Sequence, residues 1–295
     1  MFAVVGTIPN ADFPLVAGNV TLKKDKICIQ ENRCSVNRGT PALLAAAIKA
    51  GEVLGQPTPF SFLVGDIGLG KGSRRLYKHL CTHLPKTYFK SITFHYLMPD
   101  VDWHNKVLFA IKDMPQQPIL IADAGFMYAA KMSGQAPEYD LFTPDIGELA
   151  FLADEEAPHP FYTRGFILHE ENKVPDLIAR AYKYENAAKY VIVKGKHDYV
   201  ASRHGIQATI NTHIEEAMEA TGGTGDTLTG IISSLVGAGF EINEAAVIAA
   251  KTNRLAGHYT KPTPATQVIE IIYHIPKALE RVLHEGKEES LIETG

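Results

Sequence analysis

Six consecutive residues, Thr221-Gly222-Gly223-Thr224-Gly225-Asp226, place three glycines and a carboxylate ahead of the apolar run Leu228-Thr229-Gly230-Ile231-Ile232. Glycine admits backbone turns closed to other residues. Successive N–H groups at the start of a helix form an anion site, reinforced by the helix dipole. Asp226 could be a plain cap for that helix, but a cap does not require three glycines around it. A carboxylate beside an anion hole suits a general base that takes a proton from a hydroxyl while the N–H groups hold a phosphoryl group in transit. The chemistry expected is phosphoryl transfer to a small hydroxylated substrate.

Two other stretches carry candidate chemistry. In Leu141-Phe142-Thr143-Pro144-Asp145-Ile146-Gly147-Glu148, Pro144 starts a turn, and Asp145 and Glu148 fall three apart on one face of the following helix. Such a pair can hold hydrated Mg²⁺ against phosphates, and it is equally a capping box. The second stretch runs Phe60 to Leu80 and has the outline of a Walker A loop: strand, Gly65, four residues, Gly70, Lys71, helix. Gly72 follows the lysine, so the hydroxyl of Ser73 comes one place late for that motif. No convincing Walker B aspartate ends an apolar strand, although Asp123, after the run Ile119 to Ala122, is a candidate. A glycine turn that meets a ligand through its backbone fits this stretch better.

Histidine spacing gives no strong metal motif. His79 and His83 lie four apart on an expected helix but lack the glutamate of an HExxH pair, and they read as surface residues. Asp100, Asp102 and His104 fall in a stretch that reads as a solvated loop. Cys28, Cys34 and Cys81 form no CxxC pair and are expected as reduced, buried thiols.

The elements that must position these groups alternate. Strand-like runs are Phe2 to Val5, Phe60 to Val64, Ile119 to Ala122, Tyr190 to Val193 and Tyr199 to Ser202. Helical patterns are Pro41 to Leu54, Ser73 to Leu84, Asp102 to Lys112, Ile146 to Leu152 and Val174 to Asn186. This alternation predicts a mainly parallel sheet between helices. Runs such as Ser61-Phe62-Leu63-Val64 lack polar alternation and suit strands buried on both faces. A hairpin is expected between Tyr190 and Asn211. Helices follow over about 225–236, 242–259 and 266–284, then a charged, frayed tail at 285–295. One domain over 1–295 is the simplest organisation.

The chain has 295 residues, 45% hydrophobic and 21% charged, and a formal charge of -4, so nothing favours nucleic acid or an anionic membrane as partner. No apolar run approaches the roughly 20 residues of a membrane span, and the first residues lack a signal-peptide pattern. A cytoplasmic protein is expected.

The run Ala220 to Ile232 resembles the signature of the ribokinase-like superfamily, and within it most closely the ADP- or ATP-dependent NAD(P)H-hydrate dehydratases, long labelled carbohydrate kinases. Other segments resemble that family in order: the Ala-rich helix from Gly39, the glycine turn after Val64, Ile119 to Gly125, Phe142 to Leu149, Val191 to Asp198 and Asn253 to Tyr259. The likeness spans about 39–283.

The resemblance implies a three-layer α/β/α fold and an enzyme that uses ATP or ADP with Mg²⁺ on a small molecule. It implies Asp226 as the catalytic base and the N–H groups of Gly223, Thr224 and Gly225 as the anion hole. Asp145 and Glu148 would orient Mg²⁺ through water, Lys194 and Gly195 would lie beside the nucleotide, and Asn253 would line the adenine pocket. Gly65, Gly68, Gly70 and Asp123 would face the substrate. Relatives commonly form homo-oligomers. The alternatives are a sugar or vitamin-precursor kinase, which stops after the same first step, and a nucleotide-binding protein without catalysis. The chain departs from the family over its first forty residues, at Asp145, where histidine is usual, and at Asn253, where the family's helix also carries histidine.

Overall fold

The computed structural model describes residues 1–163 and 174–293, with side chains through residue 286. Along the chain lie the strands β1 (Ala3–Ile8), β2 (Val16–Lys23), β3 (Lys26–Ile29), β4 (Asn32–Ser35), β5 (Phe60–Gly65) and β6 (Ser91–His95). They are followed by β7 (Ile119–Ala122), β8 (Leu141–Phe142), β9 (Tyr190–Val193), β10 (Asp198–Ser202) and β11 (Gly205–Ile210). The chain divides into two compact units, one of residues 1–18 and 60–209, the other of residues 19–59 and 210–295.

The first unit is built on a mainly parallel sheet in the order β11-β10-β9-β8-β7-β6-β1-β5. Parallel ladders join β5 to β1 and run on through β6, β7 and β8 to β9; β10 returns antiparallel to β9. Every residue of β1 and β6 is buried, as expected for strands covered on both faces. Val5, Val64, Phe94 and Phe142 pack with Leu76, Tyr77, Leu80, Phe126 and Leu149 from the helices Lys71–His83, Ala124–Met132 and Ile146–Ala153. Helices Val101–Lys112 and Val174–Lys183 complete the alternation.

Several expectations are corrected here. Asp100, Asp102 and His104 do not form a loop. Asp100 caps the helix Val101–Lys112 by accepting the Trp103 N–H at 3.2 Å, and His104 is buried within that helix, its Nε2 2.8 Å from the Tyr139 hydroxyl. Burial pushes the His104 imidazole down to about 4, so it stays neutral in the core. The three cysteines are free but half-buried rather than buried. By contrast, His79 and His83 lie at the surface as expected, half-buried and exposed, with their rings stacked at 3.7 Å between centroids.

In the second unit β2, β3 and β4 form an antiparallel meander, with Val20 opposite Ile29 and Ile27 opposite Cys34. Its tight turns place Lys24 and Gln30 at φ 54° and 51°, a conformation usually filled by Asn or Gly. The turn residues therefore gave no hairpin signal, and these strands went unforeseen.

Helices Thr40–Leu54, Thr224–Ala238 and Ile242–Thr260 make up most of the rest. The first two pack so closely that a Cβ at Gly230 would lie 2.2 Å from the Leu43 carbonyl oxygen. The helix expected over 266–284 is two helices, Val268–Ile272 and Ile275–Glu293. Pro276 sits in the first turn of the second, where its missing N–H costs nothing. That helix runs on through residues expected to fray.

Candidate active site

Four parallel strands of the first unit lead directly to groups that can do chemistry. β6 ends on His95, β7 runs into Asp123, β8 leads through Thr143 and Pro144 to Asp145, and β9 runs into Lys194. The carboxyl ends of such strands are where open α/β sheets bind ligands.

Asp123 is buried, and the Lys194 ammonium donates to both its oxygens at 3.1 Å. His95 Nε2, fully buried, lies 3.7 Å from the same carboxylate. The backbone of Lys194 bridges to Asp145, and its N–H donates to the Pro144 carbonyl at 2.8 Å. Asp145 begins the helix Ile146–Ala153 as one half of a capping box. Its Oδ1 accepts the Glu148 N–H at 2.8 Å, while Glu148 Oε2 accepts the Asp145 N–H at 2.9 Å. The Tyr128 hydroxyl donates to Glu148 Oε1 at 2.9 Å. The capping function thus fixes Glu148 in the acidic cluster.

Burial pushes the Glu148 carboxyl up to about 7, opposed by the Lys194 ammonium and reinforced by Asp123 and Asp145. A carboxylate crowded in this way is relieved by a cation. Among the described residues no three His, Cys, Asp or Glu side chains converge as a direct metal cage. The spare lone pairs of Asp145 and Glu148 fit a cation held through its water shell. Tyr96 and Ala124, directly after His95 and Asp123, have φ of 52° and 51°. Strain of about 1–3 kcal/mol per residue is characteristic of functional sites. Gly195, also expected at this edge, is exposed and donates its N–H to Asp198 Oδ1 at 3.1 Å.

The glycine turn after β5 does not hold an anion from outside, because it holds one of its own. The Asp66 carboxylate accepts the N–H groups of Gly68, Leu69 and Gly70 at 3.0–3.1 Å, the Ser73 N–H at 2.8 Å and the Ser73 hydroxyl at 2.9 Å. Burial alone would raise the Asp66 carboxyl, but the bonds from Ser73, Gly70 and Gly68 outweigh it and hold it low. Lys71 is exposed. The donors a P-loop would turn toward phosphate are therefore consumed. Gly65 serves packing, since a Cβ there would lie 2.0 Å from the Asn10 carbonyl oxygen.

In the second unit, the turn first singled out opens the helix Thr224–Ala238 from Gly223, whose φ of 103° only glycine takes without strain. Asp226 lies in the first helical turn, 7% exposed, and its Oδ2 accepts the Gly39 N–H at 2.5 Å. Gly39 is itself the cap of the helix Thr40–Leu54. The amides of Thr224 and Gly225 belong to a first turn that has no intrahelical acceptors for them.

The Asn253 amide is bonded at both ends to the glycine turn and its helix. Its Nδ2 donates to the Thr224 carbonyl at 3.0 Å, and its Oδ1 accepts the Thr227 hydroxyl at 2.6 Å. It braces the glycine turn from the helix Ile242–Thr260. The structure thus gathers Asp123, Asp145, Glu148 and Lys194 in one unit, and Gly223, Thr224, Gly225, Asp226 and Asn253 in the other. Sequence reasoning missed His95, Tyr128 and the Gly39 amide; His95 and Tyr128 lie in no recognisable motif, and Gly39 was read only as the start of an Ala-rich helix.

Comparison with known proteins identifies the fold and the family. Residues 100–277 match the NAD(P)H-hydrate dehydratase family. An uncharacterised protein of Methanocaldococcus jannaschii is 41% identical over 242 residues, which cover 82% of this chain and all of that protein. The bifunctional NAD(P)H-hydrate repair enzyme Nnr of Pyrobaculum aerophilum is 25% identical over 148 residues, covering half of this chain and 26% of that enzyme. Among solved structures, the ADP/ATP-dependent NAD(P)H-hydrate dehydratase of Bacillus subtilis, co-crystallised with ATP and Mg²⁺, aligns with a TM-score of 0.56 at 13% identity, covering 95% of this chain and 92% of that one. A ribokinase-like superfamily protein of Enterococcus faecalis gives 0.56 at 15% identity, covering 95% and 87%. The Bacillus subtilis pyridoxal kinase in its ADP complex gives 0.53 at 15%, covering 85% and 90%. These likenesses establish a ribokinase-like α/β fold, and the match over more than half the chain shows that the protein belongs to the NAD(P)H-hydrate dehydratase family.

Proposed function

We propose that this protein is an ATP- or ADP-dependent dehydratase of hydrated NAD(P)H, with Asp226 as its general base. The observation that carries the reading is the Asp226 carboxylate, held by the Gly39 N–H inside the first turn of a helix whose glycine lead leaves amides for an anion. Asp226 takes the proton of the hydrate's hydroxyl as that oxygen attacks the terminal phosphorus of the nucleotide. The oxygen–phosphorus bond to the nucleotide breaks, and the amides of Gly223, Thr224 and Gly225 hold the charge on the transferring group. Phosphate then leaves with its C–O bonding pair while a neighbouring C–H proton is lost, which restores the double bond. Lys194 and Gly195 would act on the nucleotide, and Asp145 and Glu148 would hold a hydrated Mg²⁺ through its water shell, an ion that would supply charge neutralisation.

Support comes from the family and from the fold shared with an enzyme crystallised with ATP and Mg²⁺. The test is the loss of hydrated NADH, followed by the return of NADH absorbance, with ATP or ADP and Mg²⁺. No loss with either nucleotide would remove the reading. Accumulation of a stable phosphate ester of another small alcohol, with no NADH formed from the hydrate, would instead assign a kinase.

A further inference from the structure

Arg38 immediately precedes Gly39, the residue whose N–H holds Asp226. Its own backbone runs against the glycine turn: a Cβ at Gly223 would lie 3.2 Å from Arg38 Cα and 3.4 Å from its Cβ. Its side chain continues past Gly222, where a Cβ would lie 3.7 Å from Arg38 Cδ. Arg38 is exposed, and among the described residues its guanidinium makes no hydrogen bond or ion pair. The backbone at this position is therefore fixed beside the anion turn, while the charged end remains available.

The turn's chemistry leaves a gap that such a group fills. Backbone amides offer partial charges, whereas a phosphoryl group in transit spreads full negative charge over three oxygens. The Asp226 carboxylate adds another negative charge close by. A planar guanidinium supplies a permanent positive charge and paired N–H donors matched to phosphate oxygens.

We propose that Arg38 is a catalytic residue that binds the transferring phosphoryl group in the second unit's anion site. The assignment rests on the reading of Asp226 as base for phosphoryl transfer. Arg38 forms no covalent bond: one oxygen–phosphorus bond breaks at the nucleotide, one forms at the acceptor hydroxyl, and the proton goes to Asp226.

The test compares wild type with Arg38→Ala and Arg38→Lys. With hydrated NADH, ATP and Mg²⁺, Arg38→Ala is expected to lower kcat about 10²–10³-fold and to raise the KM for ATP about tenfold, because the guanidinium meets the terminal phosphate before and during transfer. Added guanidinium should restore part of the lost rate, and Arg38→Lys should fall in between. An Arg38→Ala enzyme within about threefold of wild type in kcat would overturn the proposal. Because the side chain makes no bond in the fold, the thermal midpoint should not move. Wild type without turnover would remove the functional reading, and a calorimetric titration with inorganic tripolyphosphate would then decide Arg38 separately. Tenfold weaker binding by Arg38→Ala upholds the assignment, and equal binding defeats it.

Discussion

Two glycine-rich turns in this chain look alike on paper and behave in opposite ways. After β5, Asp66 precedes the glycines, and its carboxylate folds into the turn, taking four N–H groups and a hydroxyl. At the second turn Asp226 follows the glycines, already inside the helix, and accepts instead from Gly39, far along the chain. The first turn is filled from within, whereas the carboxylate of the second turns away to another segment. The order of aspartate and glycine, rather than glycine content, separates a self-filled loop from a candidate anion site.

The largest expected effect that would break this contrast comes from Asp226→Asn. It should lower turnover about 10³–10⁴-fold while leaving the dissociation constant for nucleotide near wild type. Lys71→Ala, at the self-filled turn, should stay within about threefold. The reverse pattern in a kinetic assay would return phosphate handling to the turn after β5. Next in size, Asp66→Asn replaces an acceptor with an amide that must point a donor at the Ser73 N–H or at the Gly amides. It should cost about 3 kcal/mol in chemical denaturation yet keep kcat within about threefold of wild type, once folded. An unchanged denaturation midpoint would show that the internal carboxylate does not hold the turn.

Asn253→Ala tests whether the second turn must be braced. Losing both bonds to Thr224 and Thr227 should lower kcat about tenfold, with little change in the KM for nucleotide, because the amides lose alignment and not identity. A rise in nucleotide KM at constant kcat would instead restore an adenine-pocket role. The smallest effect is a pH limb. Below about 7 Glu148 holds a proton and cannot favour a cation, so Mg²⁺-dependent turnover should rise as pH passes through about 7, and Glu148→Gln should flatten that limb. For stability the sign runs the other way. The folded carboxyl binds its proton more tightly than the unfolded one, so this contribution is full below the unfolded value and fades as pH climbs toward about 7. A limb that persists in Glu148→Gln belongs to another group.

Much of the scaffold was legible because its signals are local. The buried strands lack polar alternation, and the helix Thr40–Leu54 starts beside Pro41 and ends at Gly55, a left-handed C-cap. The β2–β4 meander was not legible, because Lys24 and Gln30 occupy turn positions that carry no glycine or asparagine. Within the candidate site, motif residues were found and their partners were not. Glu148 could be named from its distance to Asp145, but the Tyr128 hydroxyl that meets it is twenty residues away. Asn253 was placed by likeness to a helix whose usual residue is histidine, and its bonds to Thr224 and Thr227 had no signal in the sequence. Long-range pairings such as Gly39 with Asp226 are products of packing, and no window along a sequence contains them.

The contact between Gly230 and Leu43 has a consequence for mutational tolerance. Neither residue need meet a ligand, yet the spacing of their helices fixes how the Gly39 amide reaches Asp226. A methyl group at position 230 would force the helices apart and withdraw that amide from the Asp226 carboxylate. A saturation screen scored on turnover would therefore record position 230 as if it were catalytic. The same screen scored on abundance would find a milder defect there, and the gap between the two scores would mark a residue whose work is purely one of spacing.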